Sequence, residues 1–137
     1  GVQTCALPIL DTIELREEDA QRAQAYFNQY GQGKNIIQHT GDAKAILPNL
    51  PHTYDLAFID ADKTGYVDYY TLLKPKMSPN GIIIADNTLF HGEVLEEKIS
   101  GKSAKAIQAF NEMVAKDDET EKIMLTIRDG LTLIRKK

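Results

Sequence analysis

Leu56-Ala57-Phe58-Ile59-Asp60-Ala61-Asp62-Lys63 and Gly81-Ile82-Ile83-Ile84-Ala85-Asp86-Asn87 decide the reading of this chain. Each stretch opens with an unbroken apolar run, the pattern of a strand buried on both faces. Each then closes on a carboxylate, which burial does not require. Between them, residues 66–73 carry a helical spacing that Lys74 and Pro75 end. Strand, helix, strand in this order predicts parallel neighbours in an α/β sheet. In such sheets ligands bind beyond the carboxyl ends of the strands, where both stretches place their polar residues.

Upstream, residues 11–15 read as a short strand with Ile13 and Leu15 apolar. Glu17, Glu18 and Asp19 then supply the acidic first turn of a helix. Ala20, Ala23, Phe27 and Tyr30 follow at helical spacing, and Gly31 and Gly33 stop it. Ile36 and Ile37 mark a second strand, Thr40-Gly41-Asp42 a turn, and residues 43–47 a short helix capped by Asp42. Downstream, Ser78-Pro79-Asn80-Gly81 reads as a turn. Ile107, Phe110 and Val114 define an amphipathic helix over residues 103–116. Residues 123–127 and 131–134 flank Asp129-Gly130, a two-residue hairpin signal. The expectation is α/β: strand–helix four times, then a hairpin that adds one antiparallel strand at an edge. The sheet is mostly parallel, with helices on both faces and no internal domain boundary.

The 137 residues suffice for one domain with one core. The hydrophobic fraction of 42% is that of an ordinary globular chain. No apolar run approaches the roughly 18 residues of a membrane span. A net charge of −4 disfavours a broad nucleic-acid footprint. One cysteine excludes an internal disulfide and points to a reducing, cytoplasmic setting. GVQTCALPI, residues 1–9, lacks the layout of a signal peptide. It is expected to be a non-native, adaptor-derived segment, so Cys5 receives no role. The alternative is a native strand over residues 6–10.

Four strand ends carry acidic or amide side chains: Glu14, Asp42 after Gly41, Asp60, and Asp86 with Asn87. A single such residue is ordinarily a helix cap or a solvated turn; four on one edge call for a ligand. Asp60, Asp86 and Asn87 offer two carboxylates and an amide oxygen, a hard donor set that suits magnesium. Adjacent Asp86 and Asn87 share an ion only if the strand breaks there. Lys63 follows Asp60 and is the candidate proton acceptor, against the bland reading of a solvated lysine. Glu14, closing its strand before a helix, is placed to accept the hydroxyls of a ribose. Tyr66, Tyr69 and Tyr70 read as a core stripe before a pocket wall. His39 and His52 have no role, and His91 lies near the metal loop.

FIDADKTGYVDYY and GIIIADNTLFHGEV together resemble the cation-dependent class I O-methyltransferases, the family of the caffeoyl-CoA and catechol enzymes. The resemblance runs from Leu10 to the chain's last residue through TIEL, TGDA and RDGLTLIRK. It implies a Rossmann-like methyltransferase fold and the cofactors S-adenosylmethionine (SAM) and Mg2+ or another divalent cation. It implies Asp60, Asp86 and Asn87 as metal ligands and Lys63 as the catalytic lysine. Glu14 matches the ribose ligand, and Asp42 and Ala43 the segment lining the adenine. Asp60 and Asp62 match carboxylates near the methionine end of the cofactor. His91 stands where some members carry a substrate-contacting asparagine, and Phe90 where plant members carry tryptophan. The family opens its sheet with a strand and a glycine-rich loop that nothing before Leu10 supplies. Residues 10–137 are therefore expected to be a partial domain that is poorly stable and does not bind SAM measurably. The absent strand is expected between the first strand and the one ending at Ile59. The implied substrate is a small molecule with neighbouring oxygens, most simply a catechol, and the full-length protein is expected to be a homodimer without a membrane partner. Two alternatives remain: a transfer-RNA hydroxyuridine methyltransferase of the same family, and a magnesium-dependent phosphoryl-binding or receiver-like module.

Overall fold

A computed structural model of the protein describes residues 9–137. Of the expected adaptor-derived segment, all but Ile9 lies outside the described residues, Cys5 included. The chain divides into two compact units, one up to Leu50 and one from Pro51. Pro48 and Pro51 bracket the junction. Among the described residues no helix is long and apolar enough to cross a membrane.

The first unit is β1 (Leu10–Glu14), α1 (Glu17–Gln29), β2 (Ile36–Thr40) and α2 (Ala43–Ile46). β1 and β2 run parallel, with Leu10 beside Ile36 and Glu14 beside Thr40. The acidic first turn of α1 complements its dipole, and Ala20 is buried. Gln38 Nε2 donates to Ala20 O at 2.7 Å and ties the strand to the helix. Asp42 caps α2 by accepting from Lys44 N at 2.9 Å.

The second unit is β3 (Tyr54–Ile59), α3 (Tyr66–Leu73), β4 (Met77–Asp86), α4 (Lys102–Lys116), β5 (Thr120–Leu125) and β6 (Leu131–Lys136). Its strand order is β3-β4-β6-β5, parallel between β3 and β4 and antiparallel at the other two pairings. The antiparallel strand is thus β6, inserted beside β4, and β5 takes the edge. β4 starts earlier than expected. The ladder passes from Tyr54–Met77 to Leu56–Ile82, so residues 78–81 loop out of it as the turn they resemble. Asn80 has φ 66° there.

The core of this unit lies on one face of its sheet. Ile59, Ile83, Ala85 and Ile134 are buried, as are Tyr66 and Tyr70 of α3 and Ile107, Phe110 and Val114 of α4. The α4 residues recur every three or four positions and form one stripe. Phe110 stands edge-on to Tyr66 at 5.4 Å and to Tyr70 at 6.0 Å. On the opposite face Leu56, Phe58 and Ile123 are each more than half exposed. Within this unit α3 and α4 pack on the one face.

The hairpin also departs from expectation. Leu125 pairs with Leu131, so residues 126–130 form the connection, not two residues. The reason is tertiary. Asp129 O accepts from Leu89 N at 2.9 Å, and Gly130 O from Thr88 N at 3.1 Å. The connection opens to clasp the loop after β4.

Candidate functional site

β3 and β4 end side by side. Ile59 is in register with Ala85, so Asp60 and Asp86 leave the sheet together at its carboxyl edge. Asn87 then takes φ 56°, a left-handed conformation that asparagine tolerates. This supplies the break needed for consecutive residues to serve one place. Asn87 N donates to Asp86 Oδ1 at 2.7 Å. Lys63 reaches the same edge from the turn before α3. Its Nζ donates to Asn87 Oδ1 at 2.8 Å, to Tyr66 Oη at 2.6 Å and to Asp60 Oδ1 at 3.3 Å. The lysine side chain is 16% exposed and that of Asp60 52%. The amine is therefore held within the fold beside a carboxylate open to solvent.

Tyr66 lies beneath. Burial first, then the negative charges of Asp60, Asp86 and Asp62, push its hydroxyl well above the usual phenol range. The protonated hydroxyl donates to Asp86 O at 2.9 Å, with Ile59 O at 3.3 Å. Sequence reasoning placed Tyr66 in a core stripe. The stripe is real, since Tyr66, Tyr69 and Tyr70 are all buried, but each hydroxyl has a polar task. Tyr69 donates to Asp62 Oδ1 and Tyr70 to Asp117 Oδ2. Asp62 also accepts from Thr64 Oγ1 at 2.8 Å through Oδ2. Both of its oxygens thus brace the turn that delivers Lys63.

The loop after Asn87 is anchored from several sides. Thr88 is fully buried. Its Oγ1 is hydrogen bonded to Thr132 Oγ1 at 2.9 Å, and its carbonyl accepts from Asn111 Nδ2 at 2.8 Å. His91 N donates to Asp129 Oδ1. The His91 ring is 76% exposed, beside Phe90, with Nδ1 3.7 Å from Asp129 Oδ2. Its described contacts are with these two residues and not with Lys63, Asp60 or Asn87. Asn111 and Thr132 escaped the sequence reading. Asp129-Gly130 carried a local signal, and that signal reads as a turn.

In the first unit, Glu14 closes β1 and Gly41-Asp42 follows β2. Gly41 N donates to Glu14 O at 2.9 Å, so these residues share one edge. Glu14 Oε1 accepts from Arg16 N at 2.9 Å. Ala43 opens α2 behind its Asp42 cap.

Among the described residues no three His, Cys, Asp or Glu side chains gather as a metal cluster. The expected set contains only two such residues and an amide. At this edge the Lys63 amine stands between Asp60 Oδ1 and Asn87 Oδ1 as a cation in their grasp. The donor chemistry therefore fits a cation.

The O-methyltransferase family model matches residues 7–137. The probable caffeoyl-CoA O-methyltransferase 2 of Dictyostelium discoideum is 44% identical over 129 residues, covering 90% of this chain and 56% of that protein. The caffeoyl-CoA O-methyltransferase 2 of Zea mays is 32% identical over 146 residues, covering 96% and 55%. Among solved structures, the O-methyltransferase TomG of Streptomyces achromogenes, in complex with SAM, superposes with a TM-score of 0.87. Its identity is 25%, over 94% of this chain and 62% of that one. The chain thus spans a little over half the length of these two curated relatives.

Proposed function

This chain belongs to the O-methyltransferase family, and we propose that its β3–β4 edge is the acceptor side of a SAM-dependent methyl transfer to a hydroxyl of a small molecule with neighbouring oxygens. The observation that carries the reading is the Lys63 amine, held on Asp60 and Asn87 at the carboxyl edge of a parallel strand pair. A caffeoyl group, named in both relatives, carries such adjacent oxygens on its ring.

Asp60, Asp86 and Asn87 are the residues that would hold a divalent cation. Bound there, the cation would supply positive charge that eases loss of a proton from a substrate hydroxyl. Glu14, Asp42 and Ala43 would meet the nucleoside of SAM, which supplies an electrophilic methyl group on sulfur. Lys63, once its ammonium has released one proton to solvent, accepts as a neutral amine the proton that leaves the substrate hydroxyl. Asp62, Thr64 and Tyr69 keep the turn that carries Lys63 in place. Asp129 and Gly130 keep the loop that carries Asn87 in place. Orientation of the hydroxyl is the chain's main contribution, because holding reactants together replaces a bimolecular encounter.

The test uses the full-length protein with SAM, Mg2+ and catechol. Lys63→Met is expected to lower kcat by about 10²–10⁴-fold, the usual cost of losing a general base. SAM affinity by calorimetry should stay unchanged. A variant that turns over as fast as the parent would remove Lys63 from the reaction.

A further inference from the structure

The three acceptors around Lys63 Nζ are not equivalent. Asn87 Oδ1 and Asp60 Oδ1 belong to residues proposed to hold a cation, whereas Tyr66 Oη does not. When a cation takes the first two oxygens, the amine keeps one described partner. We propose that the Tyr66 hydroxyl is the tether of Lys63, slung from the strand-end carbonyls Ile59 O and Asp86 O, and that it keeps the amine at the edge once Asn87 and Asp60 are engaged. This inference rests on the acceptor-site reading given above and adds a positioning residue to it.

The geometry supports a tether over a passive core aromatic. Tyr66 is fully buried, and its ring is fixed edge-on against Phe110 at 5.4 Å and 89°. Its one proton goes to Asp86 O at 2.9 Å, with Ile59 O at 3.3 Å. A lone pair is then left for Lys63, whose Nζ lies 2.6 Å away. The same nitrogen lies 4.8 Å from the ring centroid. An ammonium has three N–H donors, and the three oxygens present here match them. An untethered lysine has a flexible four-carbon stem and the rotamer freedom to leave. Tyr66 thus couples the ends of β3 and β4, through their carbonyls, to the position of the amine.

Tyr66→Phe keeps the ring and deletes the tether. The first readout is the solvent-exchange rate of the Lys63 ammonium protons by 15N–1H NMR, in the full-length protein with and without Mg2+ alone. Losing a hydrogen bond to a charged group is expected to raise that rate about tenfold or more, with the larger effect when Mg2+ is present. An unchanged rate in both conditions overturns the proposal. The second readout is a double-mutant cycle on kcat. Tyr66→Phe should lower kcat about tenfold with KM for SAM unchanged, and should cost nothing further in a Lys63→Met background. An equal loss in both backgrounds makes Tyr66 a structural residue and also overturns it. If Lys63→Met itself leaves kcat intact, the proton-acceptor reading falls, while the exchange rate still judges the tether. Should Tyr66→Phe melt, p-aminophenylalanine at position 66 retains a donor for Asp86 O but is a poor acceptor. It is expected to free the Lys63 protons in the same way, and unaltered exchange there overturns the proposal too.

Discussion

Gly130 and Gly92 form a matched pair that tests how the loop after β4 is held. Their φ angles are 84° and 83°, so an alanine at either meets similar backbone strain. That strain costs roughly 1–2 kcal/mol. Their surroundings differ. A Cβ on Gly92 would meet nothing within 4 Å, whereas one on Gly130 would lie 2.6 Å from Leu89 Cγ and 2.7 Å from Leu89 N. The backbone nitrogen cannot rotate aside. The two strands of chain must part, and the bonds Leu89 N to Asp129 O and Thr88 N to Gly130 O go with them. Leaving such groups unsatisfied costs about 1–3 kcal/mol. Gly130→Ala is therefore expected to destabilise by about 2 kcal/mol more than Gly92→Ala. At this chain length that is a difference in Tm of roughly 6 °C. Thermal unfolding of both variants by circular dichroism reads it directly. Equal losses would refute the claim that the clasp is a tight backbone contact.

Other substitutions probe the support behind the site. Asp117 accepts from Tyr70 and Lys74, both at 2.6 Å. Burial alone would raise the Asp117 carboxyl, but hydrogen bonds from Lys74, Tyr70 and the Glu119 amide outweigh it and hold it below the usual range. Tyr70 is pushed up to about 12, by burial first and then by its bond to Asp117. A lowered carboxyl stabilises above its unfolded pKa near 4 and loses that contribution as pH falls further; a raised phenol stabilises below about 10 and loses it as pH climbs toward 12. Urea melts should therefore show a plateau between about pH 4 and 10. In Asp117→Asn the acid-side slope should be shallower and the plateau lower by about 2 kcal/mol; an unchanged acid slope would contradict this. Phe110→Ala removes a fully buried ring that contacts both Tyr66 and Tyr70. It should cost about 3–5 kcal/mol in the same melts, whereas a loss under 1 kcal/mol would mean the core repacks around it.

Much of this was legible because the signals are local. The acidic first turn and Ala20 placed α1, Asp42 placed the start of α2, and the three-and-four spacing of Ile107, Phe110 and Val114 placed α4 to within a residue. The apolar runs located β3 and the end of β4. What failed depended on partners distant in sequence. Asp129-Gly130 has the composition of a two-residue turn, yet its carbonyls are engaged by Thr88 and Leu89, so the connection must be longer. Leu56-Ala57-Phe58-Ile59 reads as doubly buried, but composition does not say which faces are covered, and α3 and α4 cover one. The site followed the same rule. Asp60, Lys63, Asp86 and Asn87 stood out because charge at the end of an apolar run is conspicuous. Tyr66 did not, because a buried tyrosine at helical spacing looks the same in sequence whether its hydroxyl holds a lysine or only fills space.

The charge balance at the β3–β4 edge explains why an amide completes the expected ligand set. Asp60, Asp86 and Asp62 all act on the Tyr66 hydroxyl, against a single nearby amine that touches Asp60 and Asn87. Asp62 is solvated by hydroxyl donors from Thr64 and Tyr69, which satisfy its oxygens without cancelling its charge. A third carboxylate in place of Asn87 would add repulsion that Lys63 alone could not offset. An amide oxygen offers the same hard donor without that charge, and its left-handed backbone turns it toward the shared edge. The edge thus holds two carboxylates, one amide, and a lysine that donates to Asp60 and Asn87.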